Sequence, residues 1–88
     1  MDSLAAVPNP IAKLSPRQMQ IAALLVEGKN AAQIAILLSI GRETVVSHIR
    51  TACRKLDASN RVQLIVMITR WQVIEELKNE KKEVSEMG

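Results

Sequence analysis

Between residues 42 and 56 two sets of side chains recur at helical spacing. Glu43, Val46, Ser47, Arg50, Thr51 and Arg54 follow one another at intervals that bring them onto one strip of a helix. Arg, Ser and Thr on such a strip make hydrogen bonds and Val offers a methyl contact. These are the groups that read base edges in the major groove, Arg meeting guanine and an apolar group meeting the thymine methyl. Val45, Ile49, Ala52 and Leu56, at i, i+4, i+7 and i+11, make an apolar stripe on the opposite side. Covalent and metal chemistry have no comparable set. The single His48 and single Cys53 cannot assemble a zinc site, and one Cys cannot close an internal disulfide. No paired carboxylates, nucleophile–base set or phosphate loop is present. The expectation is therefore a non-enzyme without metal or cofactor. His48 reads as structural or phosphate-facing, and Cys53 as a small buried apolar residue.

The elements that must hold this strip are short. Residues 1–13 read as an irregular, flexible lead-in, because Pro8 and Pro10 remove backbone donors and push their predecessors toward extended shapes. Ser15-Pro16 predicts a helix start, with Ser15 as cap and Pro16 at the first helical position. Ile21, Ala22, Leu24 and Leu25 give that helix, about 16–27, its buried face, and Gly28 is a natural left-handed stop. Asn30 caps a second helix of about two turns, whose inward residues are Ala31, Ile34, Ala35 and Leu38. Ser39-Ile40-Gly41 is a three-residue turn carrying the Gly that a tight turn wants. A third helix covers about 42–56. Asp57 to Asn60 break the pattern, with Ser59 as cap, and a fourth helix runs from near Asn60 past Leu77. There is no internal repeat and no β-like alternation, so the fold class is all-α. Two short helices joined by such a turn are the sequence form of a helix-turn-helix. Its first helix braces across the phosphate backbone, and its second enters the major groove.

Composition and charge agree with that layout. The 88 residues include neither Phe nor Tyr, which favours a core of Leu, Ile, Val, Ala and Met in packed helices. The same lack removes the stacking platforms of single-strand binders. The net charge is only +3, but it is unevenly spread. Residues 14–56 carry Arg17, Lys29, Arg42, Arg50, Arg54 and Lys55 against Glu27 and Glu43, while the segment after Trp71 is acidic. Asp2 replaces the basic start of a secretory signal, and the longest apolar run, 64–68, is far short of a membrane span. The reading is soluble and cytoplasmic, with no membrane partner.

Six separated blocks carry a family resemblance. They are Leu14-Ser15-Pro16-Arg17, Leu25-Val26-Glu27-Gly28, Gln33-Ile34-Ala35, Thr44-Val45-Val46-Ser47-His48-Ile49, Arg54-Lys55-Leu56 and Ser59-Asn60-Arg61. In order and spacing, residues 14 to about 70 resemble the LuxR-type (GerE/NarL-like) DNA-binding domain. The resemblance implies a four-helix bundle with the helix-turn-helix in helices two and three, and a fourth helix, extended here, that dimerises. It also implies double-stranded DNA as partner and transcriptional control as function, with RNA polymerase or a related regulator as a further partner. The chain departs from the family at Gln18, where Glu is usual, at Gly41, where Ser is usual, and at Val46, where a DNA-contacting Lys is common. The family's sensing domains find no room in 88 residues, so the chain reads as a minimal regulator or an excised module.

On this frame the domain occupies residues 14–71, followed by a helix-four extension and acidic, frayed tail over 72–88. Val46, Ser47 and Arg50 are expected at base edges. Lys29, Asn30, Thr44, Arg54 and Lys55 are expected at phosphates, Thr44 lying where the helix dipole also favours an anion. Helix four is apolar nearly all round, with Val62, Ile65, Val66 and Thr69 on one side and Leu64, Ile68 and Trp71 on another. That excess points to a second copy of the chain. The expected dimer interface is Val62, Ile65, Val66, Thr69 and Trp71, and Ile74 and Leu77 continue its pattern. The function expected is a dimeric, sequence-specific transcription regulator with residues 42–56 in the major groove. The alternative is an interaction protein that pairs through helix four with another regulator and withholds it from DNA. Val46, the modest charge, the acidic tail and the long apolar helix motivate that alternative.

Overall fold

A computed structural model of the protein describes the backbone of residues 9–87 and the side chains of residues 9 and 11–78. Four helices follow a short 3-10 turn at Pro10–Lys13: α1 (Pro16–Val26), α2 (Ala31–Leu38), α3 (Arg42–Lys55) and α4 (Arg61–Met87). The described residues contain no strand, and the all-α expectation holds. Among them no helix is long and apolar enough to cross a membrane.

The helix starts explain the segmentation. At α1 the Ser15 hydroxyl accepts from the Gln18 amide, and the Gln18 side chain accepts from the Ser15 amide in return. Asn30 and Gln33 repeat that reciprocal box at α2. At α4 Asn60, rather than Ser59, is the cap: its Oδ1 accepts from the Gln63 amide, while Gln63 Oε1 reaches back to the Ser59 amide. Each such cap is worth about 1 kcal/mol. Only α3 starts without a side-chain cap, on Gly41.

The helix ends share one device. The amides of Lys29, Ile40 and Ala58 bond to the carbonyls of Leu24, Ala35 and Cys53, each five residues back. Each chain reversal passes through one left-handed residue: Gly28 (φ 95), Ser39 (φ 56) and Asp57 (φ 57). This corrects the expectation for the α2–α3 turn. Ser39 takes the left-handed position, at a cost of about 1 kcal/mol, whereas Gly41 has φ −70 and ψ 149, which any residue adopts. The lead-in is also more regular than expected over its described part. The Asn9 side chain caps the 3-10 turn by accepting from the Ile11 amide, and Ile11 packs on the core. Residues 1–8 of that lead-in lie outside the described residues.

Ile21, Ile34, Val45 and Leu64, one from each helix, are the largest fully buried side chains and mark the centre of the bundle. Burying each contributes roughly 1.5–3 kcal/mol. The expected α3 stripe is buried as read, through Val45, Ile49, Ala52 and Leu56. Helix α3 packs against α1, α2 and α4, so the element carrying the candidate chemistry is held from three directions. α4 buries Leu64, Ile68 and Trp71, at i, i+4 and i+7. It runs on to Met87.

Candidate nucleic-acid interface

Opposite the buried stripe of α3 runs an exposed line with the same spacing: Glu43, Ser47, Arg50 and Arg54. Arg42, Glu43, Val46, Ser47 and Arg50 together line one open recess. Two of the three expected base readers, Ser47 and Arg50, are fully on the outward face. Val46 is half-buried at the edge of the recess and packs in part on the core, because it sits a quarter-turn round from the outward line. Thr51 commits its hydroxyl proton to the Ser47 carbonyl at 3.0 Å, leaving its oxygen only to accept.

The expected phosphate contacts divide. Thr44 is exposed in the first turn of α3, where the amides of Arg42, Glu43 and Thr44 lack intrahelical partners and the dipole is positive. Arg54 is exposed on the outward line. Asn30 commits its side-chain oxygen to the α2 cap, leaving only its amide group to donate. Lys29 is half-buried beside Gln33, Ile36 and Leu37. Lys55 is held away from the recess: its Nζ donates to Gln18 Oε1 at 2.9 Å. It also lies roughly 140° around α3 from Arg50 at ~100° per residue. Gln18 is buried, so this bond ties the end of α3 to the start of α1.

Two basic residues gain a place only from tertiary structure. Arg42 at the start of α3 and Arg61 at the start of α4 line an open cleft with Asn30, Ala31 and Ala32 from the start of α2. Arg61 belongs to the Ser59-Asn60-Arg61 block, but nothing in sequence spacing brings it beside residues 30–32. Among the described residues the ion pair is Lys78–Glu75 on α4; no carboxylate lies within salt-bridge distance of the arginines of α3.

On α4 the expected interface residues separate into two groups. Val62 is 67% exposed and Val66 46%, and Thr69 is exposed. Val73 and Leu77 extend this face, Val73 having escaped the sequence reading. Ile65 is half-buried and packs on the core. Trp71 does not belong to the exposed face. It is 5% exposed, with Lys78 Nζ 4.8 Å from the ring centroid. The reason is helical phase: Trp71 falls three residues after Ile68 and shares its inward side.

His48 is half-buried, and no group of three or more His, Cys, Asp or Glu among the described residues could hold a metal. Cys53 is half-buried rather than buried, and desolvation raises its thiol pKa. It is accordingly less reactive as a nucleophile.

A capped short helix, a tight turn and a second helix with an open polar and basic face define a helix-turn-helix DNA-binding domain of the kind found in transcription regulators. The model of the bacterial regulatory proteins of the luxR family matches residues 12–68, and the chain belongs to that family. It is 34% identical over 71 residues to the transcriptional activator protein BjaR1 of Bradyrhizobium diazoefficiens, covering 81% of this chain and 29% of that protein. It is 43% identical over 57 residues to the transcriptional activator protein VanR of Vibrio anguillarum, covering 65% of this chain and 24% of that one. Against the nitrate/nitrite response regulator protein NarP of Escherichia coli it is 32% identical over 66 residues, covering 75% and 31%. The chain thus spans 24–31% of the length of these relatives. No solved structure matches it significantly.

Proposed function

We propose that this chain is a sequence-specific regulator that binds duplex DNA as a dimer, with α3 in the major groove and α4 against a second copy. The observation that carries the reading is the outward line of α3, which offers Ser47, Arg50 and Arg54 free of carboxylate partners among the described residues. Ser47 and Arg50 read base edges, and Val46 meets a thymine methyl from the edge of the recess. Thr44 and Arg54 bond phosphates along the groove. Arg42 and Arg61, with the Asn30 amide, hold a backbone phosphate beside α2, and Lys29 adds charge on the same strand. Lys55 acts mainly as a brace to Gln18. Val62, Val66, Thr69, Val73 and Leu77 recur at i, i+4, i+7, i+11 and i+15, the spacing of an interhelical seam, with Ile65 at its margin. A dimer doubles the basic surface that a single copy with net charge +3 presents. A cytoplasmic setting follows from a DNA partner.

The test is a titration on duplex DNA at several salt concentrations. Affinity is expected to fall by a log–log slope of about −0.9 per phosphate contacted. A flat response with no measurable binding overturns the reading. The exposed α4 face would then favour the alternative, a chain that pairs with another regulator and withholds it from DNA.

A further inference from the structure

Glu43 is an acid that shares the recess of α3 with Arg42 and Arg50, and the groove-reading proposed above leaves it without a task. It opens the exposed line that continues through Ser47, Arg50 and Arg54, directly opposite the buried stripe. It is the second residue of α3, and the early residues of a recognition helix are those that approach base edges. It lines the same recess as Arg42 and Arg50, yet among the described residues neither guanidinium lies within 4.0 Å of its carboxylate. A free carboxylate in that position is repelled by every phosphate and by the acceptors of guanine, O6 and N7. Adenine offers a donor at N6 but an acceptor beside it at N7. Cytosine alone presents its N4 amino group with no neighbouring acceptor of its own.

Resting on the groove-reading of α3, we infer that Glu43 is a specificity-determining residue that accepts a hydrogen bond from cytosine N4 in each half-site. Its contribution is discrimination rather than affinity. The carboxylate weakens binding to arbitrary duplex and restores it only where a cytosine stands opposite. Arg50, two turns along the same line, then reads a separate base pair, so the two residues set two positions of the half-site independently.

The experiment selects bound sequences from a randomised duplex pool with the whole chain, with Glu43→Ala and with Glu43→Gln, after circular dichroism shows all three folded. The wild type is expected to enrich one cytosine per half-site. Glu43→Ala is expected to lose that cytosine alone, to reduce discrimination there by roughly five- to hundredfold, and to bind arbitrary duplex more tightly. Glu43→Gln is expected to lose it or replace it with adenine, whose N6 and N7 suit an amide. If Glu43→Ala keeps the wild-type motif at every position, the proposal is overturned. The same holds if Glu43→Ala weakens all sequences equally, which marks a role in the helix dipole only. Enrichment of a motif without cytosine overturns this assignment but leaves groove reading intact. A wild-type pool without any enriched motif overturns both.

Discussion

Helices α3 and α4 are built on one geometric plan and differ in what they turn outward. Each buries residues at i, i+4 and i+7: Val45, Ile49 and Ala52 in α3, Leu64, Ile68 and Trp71 in α4. Each displays an exposed line at the same spacing on the opposite side. On α3 that line is Glu43, Ser47, Arg50 and Arg54; on α4 it is Val62, Val66, Thr69 and Val73. Backbone periodicity makes the two faces equivalent as surfaces, and side-chain chemistry alone separates the partners proposed for them. A charged, hydrogen-bonding line suits a hydrated groove that presents donors and acceptors. An apolar line costs free energy in water and gains it only against another apolar surface.

The largest way to break the comparison is to strike the inward side of α4. Trp71→Ala is expected to lower unfolding free energy by about 3–5 kcal/mol in chemical denaturation. An interface role for Trp71 predicts instead that the substitution dissociates a dimer and leaves the unfolding of the single chain little changed. Next comes the outward side of the same helix. Val66→Asp is expected to shift sedimentation toward monomer and to weaken binding to a duplex with two half-sites by roughly a hundredfold. Affinity for a single half-site stays within about threefold, because non-contacting surface substitutions change little. Sedimentation unchanged by Val66→Asp would end the equation of this face with a dimer seam. On α3 the equivalent test is Arg50→Ala. It is expected to reduce specific affinity by roughly 1–3 kcal/mol while unfolding moves by no more than about 0.5 kcal/mol. A comparable loss of stability would mean that α3's outward line serves the fold.

The start of α3 sharpens the contrast further. Helices α1, α2 and α4 each begin with a Ser or Asn whose side chain satisfies an amide three residues on. α3 begins on Gly41 and leaves its first amides without side-chain partners. A cap there would be compatible with the backbone, since a Cβ on Gly41 would meet nothing nearer than Thr44 Oγ1 at 3.7 Å. The helix proposed to meet an anionic partner through its first turn is thus the one whose amides are left available.

Much of this was legible from residue order. Helical spacing identified α3's two sides, the caps at Ser15 and Asn30, and the stop at Gly28, because these depend on contacts within a few residues. The luxR-family blocks were legible for the same reason, being runs of adjacent residues. Assignments that depend on helical phase relative to a neighbour were less secure. Val46 lies at the boundary of its strip, and Trp71 on the inward side of a helix that is apolar nearly all round. Periodicity distinguishes two sides of such a helix, yet not which of them the bundle covers.

Sequence alone therefore determined the helices, their chemistry and the family, since backbone hydrogen bonding and side-chain type act locally. Tertiary packing decided which charges could work together. It tied Lys55 to Gln18 across 37 residues, gathered Asn30, Arg42 and Arg61 around one cleft, and turned Trp71 inward. Those relations depend on how four helices close on Ile21, Ile34, Val45 and Leu64. Their closing angles are set by the joint shape of the buried side chains, a property that no single segment carries.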